Sequence, residues 1–317
     1  MRDSAPPGRA PGRPPGAARV RGGRLVLGAC AVVAVVVALV VLAVSCGTPD
    51  DGAAPGSRRA SPAARPSPSP VWDTDPDSLA ALGDSITRAY DACSLLADCP
   101  EASWATGSSP EVDSLARRLG VPAAARWNLA RSGALMADLP AQARRAAAHR
   151  PDLVTVLIGA NDACRPTVAR MTPVAAFRAD FAEALRVLRR ASPRTQVYVA
   201  SVPDLERLWS QGRSHPLAAR VWELGICPSM LADADAVDAA AVERRAAVAG
   251  RVRAYNAALE EVCARDARCR YDGGAVHAYR FTTRELSVWD WFHPGQAGQR
   301  RLAEIAHRRV AAGRPPS

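Results

Sequence analysis

Four short segments of this 317-residue chain contain residue types that catalysis uses, and each follows a predicted strand or precedes a predicted helix. The segments are 83–85 (Gly-Asp-Ser), 128–133 (Asn-Leu-Ala-Arg-Ser-Gly), 159–162 (Gly-Ala-Asn-Asp) and 290–295 (Asp-Trp-Phe-His-Pro-Gly). Each segment alone is weak evidence, because Gly-Asp-Ser is also an ordinary turn and Asp-x-x-His also caps helices. Their order in one chain, each beside an element, indicates a single site.

Ser85, His293 and Asp290 are the residue types of nucleophilic catalysis. A serine hydroxyl is a weak nucleophile at neutral pH and needs a base within hydrogen-bond reach, for which His293 is the candidate. Asp290, three residues before His293, can accept the second ring N–H and stabilise the imidazolium as it forms. These residues predict nucleophilic catalysis through a covalent intermediate on Ser85, without a metal or a cofactor. Asp84 and Asp162, which lie in the same segments, are interpreted as turn caps.

The hydrophobic pattern predicts strands that alternate with helices. Short apolar runs predict strands at 78–82, 127–130, 153–158 and 197–202. Helical patterns occur at 111–119, 139–149, 173–191, 239–265 and 296–312. This order predicts an α/β fold, a three-layer α/β/α sandwich with a parallel sheet. In such sheets sites lie at the carboxyl ends of the strands, where the first three segments are placed.

The four segments together resemble those of the GDSL, or SGNH, family of serine hydrolases, over nearly all of residues 78–311. Three further stretches are similar to the phospholipase B branch of that family, at 103–107, 136–143 and 158–164. The nucleophile segment reads Gly-Asp-Ser-Ile and so departs from Gly-Asp-Ser-Leu, and residues 210–237 match nothing that we can assign. The resemblance implies the flavodoxin-like sandwich of SGNH hydrolases.

The resemblance also implies which groups would stabilise the oxyanion that forms when Ser85 attacks an ester. These are the backbone N–H groups of Ser85 and Gly133 and the side-chain amide of Asn161, and such donors must already point at the oxyanion. The implied activity is that of a serine esterase or lipase acting on acyl esters, with lipids or phospholipids as the expected substrates. Two alternatives stay open: a carbohydrate O-deacetylase and a catalytically silent cell-surface binding module.

Composition excludes several other classes of protein. The chain is 48% hydrophobic and carries a net charge of +10, which rules out disorder over its full length. The sequence has no repeat of the kind that builds solenoids or coiled coils. All 41 basic residues are arginine, and those of residues 77–317 are spread over helix-like stretches without a recognised nucleic-acid motif. We therefore expect an ester substrate and a monomer, and no nucleic-acid partner.

The N-terminal part of the chain predicts a membrane attachment. Residues 25–45 are 21 residues without a charge, enough to cross a bilayer as a helix. Six arginines in residues 1–24 predict a cytoplasmic tail and an extracytoplasmic remainder. The alternative is a lipoprotein signal, because Leu-Ala-Val-Ser before Cys46 resembles a lipobox. Residues 46–76 are rich in Pro, Ser and Ala and predict a disordered tether, which leaves 77–312 as a single hydrolase domain.

Six cysteines remain beside Cys30 and Cys46, and they predict three disulfides in an oxidising compartment. Sequence alone permits many pairings of six cysteines. Two close pairs suggest local closure, and the set of bonds is then Cys93–Cys99, Cys263–Cys269 and Cys164–Cys227. A zinc site is the alternative, although no Cys-x-x-Cys or nearby histidine in the sequence completes a tetrahedral set.

Overall fold

A computed structural model of the protein describes residues 71–313. The predicted cytoplasmic tail (1–24), the predicted membrane segment (25–45) and most of the predicted tether lie outside the described residues, so these divisions of the chain stay predictions. Within residues 71–313, no helix is long and apolar enough to cross a membrane.

Five parallel strands form one sheet in the order β2-β1-β3-β4-β5. Their bounds are β1 Leu79–Gly83, β2 Arg126–Asn128, β3 Leu153–Leu157, β4 Gln196–Val199 and β5 Cys269–Tyr271. Every residue of β1, β3 and β4 is buried, as expected of continuous apolar runs, which suit strands covered on both faces. The predicted parallel sheet is confirmed, and β5 is an additional strand that the sequence patterns did not indicate.

Helices cover both faces of this sheet. Those of four residues or more are α1 Leu115–Arg118, α2 Leu139–His149, α3 Ala160–Ala163, α4 Val174–Ala191, α5 Leu205–Gly212, α6 Ala218–Trp222, α7 Pro228–Leu231, α8 Ala239–Cys263, α9 Ala275–Ala278 and α10 Gln296–Val310. Helices α2, α4 and α8 each lead to the next strand towards the β5 edge of the sheet. Helix α4 packs against both of the others. Helix α1 connects β1 to β2, which lies at the opposite edge of the sheet. A right-handed crossover therefore places α1, with its neighbour α10, on the other face. This is the predicted three-layer sandwich.

The strand order reverses at β1, whose two neighbours in the sheet are β2 and β3. The crossovers that leave this point run over opposite faces, which opens a crevice beyond the carboxyl end of β1. Residues 84 and 85 follow β1 directly. The fold therefore places Ser85 where ligands bind in open parallel sheets.

The first helix is shorter than the one predicted at 111–119. Asp113 has a left-handed φ of 50°, and α1 begins after it, at Leu115. Ser114 caps this helix, because its hydroxyl accepts a hydrogen bond from the N–H of Arg117 at 3.4 Å. The apolar spacing indicated a helix here but carried no information about the turn that delays its start.

The described chain packs against the domain from Trp72 onwards, ahead of the boundary expected near Asp77. The indole N–H of Trp72 donates to the carbonyl of Val310 at 2.9 Å, and the guanidinium of Arg270 lies 4.1 Å from its ring centroid. The backbone N–H of Asp73 donates to the side chain of Gln196, the first residue of β4, at 2.6 Å. The chain therefore enters the domain at the amino ends of the strands.

Residues 71–313 contain one extensive hydrophobic core and three disulfides of their own. The bonded pairs are those predicted: Cys93–Cys99, Cys164–Cys227 and Cys263–Cys269. The largest fully buried apolar side chains include Trp104, Phe177 and Phe181. A separate core is what allows a domain to fold alone, so a chain that begins at Val71 is expected to fold.

Candidate active site

The turn that carries Ser85 depends on Gly83, the last residue of β1. Gly83 has a φ of 152°, and a Cβ atom at this position would lie 2.3 Å from the carbonyl oxygen of Leu157. The Gln142 side chain accepts from the Gly83 N–H at 2.8 Å and donates to the Gly83 carbonyl at 2.9 Å. A turn that only glycine fits thus presents Ser85 at the carboxyl end of β1.

Ser85 lies within hydrogen-bond distance of His293, which is far from it in sequence, and His293 lies within hydrogen-bond distance of Asp290. Ser85 Oγ lies 3.0 Å from His293 Nε2, and His293 Nδ1 lies 2.5 Å from Asp290 Oδ2. The other carboxylate oxygen, Oδ1, accepts from the backbone N–H groups of Phe292 and His293, both at 2.9 Å. Asp290 therefore orients the imidazole with one oxygen and holds its own loop with the other.

The loop before α10 that carries Asp290 and His293 is fixed by backbone hydrogen bonds. The N–H of Ser287 donates to the carbonyl of His293 at 2.7 Å. The indole N–H of Trp222 donates to the carbonyl of Asp290 at 2.7 Å. Trp222 ends α6, so the stretch of residues 210–237 that sequence could not assign contributes directly to holding the acid.

Gln299 connects this loop to the turn that carries Ser85. It lies in the first turn of α10 and is completely buried. Its side chain donates to the carbonyl of Ile86 at 2.9 Å and accepts from the N–H of Trp104 at 3.0 Å. One buried amide therefore fixes the distance between the segment that supplies Ser85 and the helix that follows His293.

The electrostatics of the site favour proton transfer from Ser85 to His293. Burial alone would raise the pKa of Asp290, but the facing His293 and hydrogen bonds from its own loop lower it. Burial alone would lower the pKa of His293, but the charge and hydrogen bond of Asp290, followed by the charges of Asp84 and Asp91, raise it. A more basic imidazole accepts a hydroxyl proton more readily.

The groups expected to stabilise an oxyanion line the same cavity as Ser85: Gly133 and Asn161. Gly133 has a left-handed φ of 78°. The Asn161 amide nitrogen donates to the carbonyl of Ala134 at 3.1 Å, which fixes the plane of the amide. An amide nitrogen carries two N–H groups, so one remains for a substrate.

A cavity of about 350 Å³ opens beside Ser85 and His293. Its wall is largely apolar and comes from several separate segments. The apolar lining includes Ile86, Tyr90, Ala160, Leu205, Leu208, Ile226, Phe292, Pro294 and the disulfide between Cys164 and Cys227. Residues 205–227 thus form one side of the cavity, and a disulfide joins them to the segment that carries Asn161.

Asp84 caps its own turn as predicted, whereas Asp162 accepts a hydrogen bond from a different segment, and both side chains are completely buried. Asp84 accepts from the N–H of Ile86 at 3.0 Å, and Asp162 accepts from the N–H of Met136 at 2.9 Å. Burial, which disfavours the charged form, raises the pKa of Asp84 to about 7 and that of Asp162 to about 6. The buried carboxyl groups of Asp84 and Asp162 therefore take up protons in neutral to mildly acidic solution.

A family model described as GDSL-like Lipase/Acylhydrolase matches residues 79–306. The match covers most of the chain and all four segments from which the site is built. The chain belongs to the GDSL-like lipase/acylhydrolase family. It is therefore a carboxylic ester hydrolase, as the sequence predicted. The narrower resemblance to phospholipase B stays a prediction.

Solved structures similar to this GDSL-like hydrolase include enzymes that act on different esters. A mutant acetylxylan esterase from Geobacillus stearothermophilus is 16% identical, with a TM-score of 0.46 over 74% of this chain and 94% of that chain. Phospholipase A1 from Streptomyces albidoflavus is 19% identical, with a TM-score of 0.44 over 75% and 100%. A family 3 carbohydrate esterase from Clostridium thermocellum is 15% identical, with a TM-score of 0.43 over 73% and 93%. No curated protein sequence matches the chain.

Sequence reasoning missed three buried side chains that support the site of this GDSL-like hydrolase: Gln142, Gln299 and Asp91. Gln142 and Gln299 lie on the buried faces of α2 and α10 among apolar residues. A polar residue at a core position of an amphipathic helix is a signal that could have found both. Asp91 contributes a carboxylate oxygen within 4.8 Å of Asp290 and His293, and its position in a loop gives no comparable signal.

Proposed function

We propose that this carboxylic ester hydrolase is an extracytoplasmic serine esterase or lipase that cleaves acyl esters of lipids through Ser85, His293 and Asp290. The observation that carries the proposal is the continuous series of contacts from Ser85 Oγ to His293 Nε2 at 3.0 Å and from His293 Nδ1 to Asp290 at 2.5 Å, beside an open cavity. The same observation argues against a catalytically silent binding module.

The proposed reaction has two halves. His293 takes the proton of Ser85 Oγ as this oxygen bonds to the ester carbonyl carbon, and the negative oxygen is stabilised by the N–H groups of Ser85 and Gly133 and by Asn161. The ester C–O bond then breaks, and His293 gives its proton to the leaving alcohol. Water attacks the acyl-enzyme with His293 as the base, which releases the carboxylic acid and restores Ser85.

The lining of the cavity supports an acyl chain as the group that lies next to Ser85. Leu205, Leu208, Ile226 and Phe292 form an apolar wall, and burial of a CH₂ group against such a wall contributes about 0.8 kcal/mol. A sugar, whose hydroxyls need hydrogen-bond partners, would leave those groups unpaired against this wall. The lining therefore favours lipid esters over the alternative of an O-acetylated carbohydrate.

Two features support an extracytoplasmic domain. The three disulfides of residues 71–313 are typical of proteins that fold in oxidising compartments. The uncharged segment at 25–45 with six preceding arginines has the pattern of a membrane anchor whose following domain is exported. Attachment through a lipidated Cys46 would place the domain in the same compartment.

The proposed nucleophile can be tested by replacing Ser85 with alanine. Ser85→Ala is expected to abolish ester hydrolysis and covalent labelling by a fluorophosphonate probe, because both require the Ser85 hydroxyl. Ser132→Ala is the matched control, since this second serine lines the same cavity but its hydroxyl donates to Asp98. Retention of normal turnover by Ser85→Ala would disprove the mechanism.

The proposed substrate class can be tested with a panel of esters of graded acyl length, together with phospholipids and acetylated polysaccharides. We expect kcat/KM to rise from acetyl to longer acyl chains, because each added CH₂ group contacts the apolar wall. Efficient removal of acetyl groups from polysaccharides, with no activity on any longer chain, would replace the lipid proposal with the O-deacetylase.

A further inference from the structure

The exposed large apolar side chains of residues 71–313 are concentrated around the mouth of the cavity. Nine such residues are exposed in this part of the chain. Six of them lie on three segments that border the cavity: Leu95, Leu96, Leu217, Leu224, Val288 and Trp289. We call these six side chains the apolar rim. Exposed apolar residues are common on proteins when scattered singly, but a concentrated group marks an interaction site.

Two of the three segments meet at Asp91. The N–H of Leu96 donates to Asp91 Oδ1 at 2.5 Å, and the Ser287 hydroxyl donates to the carbonyl of Asp91 at 2.6 Å. The N–H of Trp289 donates in turn to the Ser287 hydroxyl at 3.0 Å. The Leu95–Leu96 and Val288–Trp289 pairs therefore lie on adjacent loops, and the disulfide between Cys93 and Cys99 closes the first loop.

The same loops form the edge of the cavity. Tyr90, which precedes Asp91, lines the cavity, as does His293 a few residues after Trp289. Asp98, near the end of the disulfide-closed loop, accepts a hydrogen bond from the hydroxyl of Ser132, another lining residue. These contacts place both pairs of rim residues beside the opening that leads to Ser85.

The third segment approaches the opening from the α5–α7 side. Leu224 is 79% exposed and directly precedes Gly225 and Ile226, which line the cavity. Leu217 follows His215, whose ring stacks on Trp291 at a centroid distance of 4.1 Å. Because Trp291 belongs to the loop that carries Trp289, the third segment lies against the second.

We propose that the apolar rim is a docking surface for the surface of a lipid aggregate, such as a bilayer. The proposal rests on the proposed function, since it supplies the route by which a lipid ester would reach Ser85. The rim lies on segments that adjoin the opening of a cavity with an apolar wall, so an acyl chain can pass from the aggregate into the cavity with little exposure to water. A protein bound to the same rim would cover the opening and exclude the ester substrate.

Vesicle binding by a catalytically inactive protein tests the rim directly. The protein is the chain from Val71 onwards with Ser85→Ala, which leaves the lipid intact, and the probe is a sucrose-loaded phosphatidylcholine vesicle that is sedimented with its bound protein. We expect Leu96→Asn with Val288→Asn to weaken partitioning about tenfold or more, because two side chains no longer transfer from water into hydrocarbon.

The matched control is Val71→Asn with Val242→Asn. Both valines are exposed, and neither lines the cavity, so this pair removes as many exposed valine or leucine side chains without changing the rim. We expect the control to partition like the parent protein, with both variants unfolding at the parent's temperature. Absence of binding by the parent, or equal loss in the rim and control variants, would overturn the proposal.

The outcome is separable from that of the proposed function, because binding is measured without the nucleophile. Vesicle binding that depends on Leu96 and Val288 supports the rim, whatever ester the active protein prefers. If the protein with Ser85 intact binds vesicles through the rim but cleaves neither their lipid nor any ester of the panel longer than acetyl, the lipid substrate is wrong and the docking surface stands.

Discussion

A carboxylate oxygen of Asp91 lies within 4.8 Å of one of Asp290, and both side chains are buried. Burial, followed by the charge of Asp290, raises the pKa of Asp91 to about 6. Asp91 is therefore ionised above that pH, where its charge adds to that of Asp290 in stabilising protonated His293. Burial, followed by the charges of Asp91 and Asp290, raises the pKa of Tyr90, whose ring centroid lies 5.3 Å from that of His293.

The first prediction is that Asp91→Asn shifts the acidic limb of the kcat/KM profile to lower pH. Hydrolysis requires neutral His293, and removal of a nearby negative charge lowers the pKa at which its imidazole loses the proton. The measurement is kcat/KM on a soluble ester across pH 4 to 8, where kcat/KM should change about tenfold per pH unit on the acidic limb. Asp98→Asn, an acid of the same loop paired with Arg88, is the control. An unmoved limb would contradict the role given to Asp91.

The second prediction concerns Asn161, whose amide is expected to stabilise the oxyanion more than the ground-state ester. Asn161→Ala should lower kcat by about 10² to 10³ with little change in KM, which is the usual cost of removing one such donor. Steady-state kinetics on a soluble ester measure both constants. A change in KM alone would assign Asn161 to substrate binding.

Gly83→Ala is predicted to destabilise the fold and to displace Ser85. The added Cβ would meet the carbonyl of Leu157 at 2.3 Å, at a φ of 152°; backbone strain of this kind costs about 1–3 kcal/mol before the clash is counted. Gly120→Ala is the control, because Gly120 also has a positive φ, of 70°, but open space at the Cβ position. Urea unfolding should show a clearly larger loss for Gly83→Ala, and equal losses would show that the close approach is unimportant.

Asp162→Asn is predicted to flatten the pH dependence of stability. The pKa of Asp162 is raised from 3.8 to about 6 by burial, so the folded state favours the protonated acid. Its stabilising contribution is present below pH 3.8 and is lost as the pH rises through about 6. An uncharged asparagine has no such dependence. The free energy of unfolding, measured from pH 4 to 8, should therefore fall less with pH in the variant than in the parent (about 1.4 kcal/mol per pH unit at most for one group).

Removal of the disulfide between Cys164 and Cys227 is predicted to raise KM. This bond forms part of the cavity wall and joins residues 205–227 to the segment of Asn161. Replacement of both cysteines by alanine should loosen that wall as well as lower the unfolding temperature. The matching change at Cys263 and Cys269, outside the cavity lining, should lower the unfolding temperature and leave KM unchanged. Peptide mapping without reductant should first find all three bonds.

The parts of the fold that sequence predicted are those with a strong local signal. The apolar runs of β1 and β3 and the pattern of α2 predicted those elements to within one residue, and the run of β4 predicted a strand that extends three residues too far, to 202 instead of Val199. Strand β5 was missed because it has only three residues, with the charged Arg270 at its centre. The short helices α5 to α7 were missed because contacts elsewhere hold them, such as the hydrogen bond from the indole N–H of Trp209 to the carbonyl of Ala234 at 3.0 Å.

The candidate site likewise contains residues that the sequence predicted and one that it did not. Ser85, Gly133 and Asn161 follow β1, β2 and β3, so the rule that sites collect at the carboxyl ends of parallel strands was enough to group them. Asp91 could not be predicted, because its place beside Asp290 depends on the packing of two loops that are 199 residues apart in sequence. The spacing of residues along the chain gives no information about such a contact between loops.

Trp72 and Asp73 dock beside the amino ends of the strands, whereas the apolar rim lies beyond the carboxyl ends. If residues 25–45 anchor the protein as predicted, residues 46–70 link the anchor to the point at which Trp72 and Asp73 dock. Fully extended, they reach about 80 Å at about 3.3 Å per residue, but a flexible chain of this length spans only about 27 Å on average. Docking of the rim on the membrane that holds the predicted anchor would therefore require a more extended tether than docking on a lipid surface that faces that membrane. If the anchor and the lipid substrate are as proposed, the attachment of the tether at the end of the domain opposite the rim would favour the facing surface as the one that is hydrolysed.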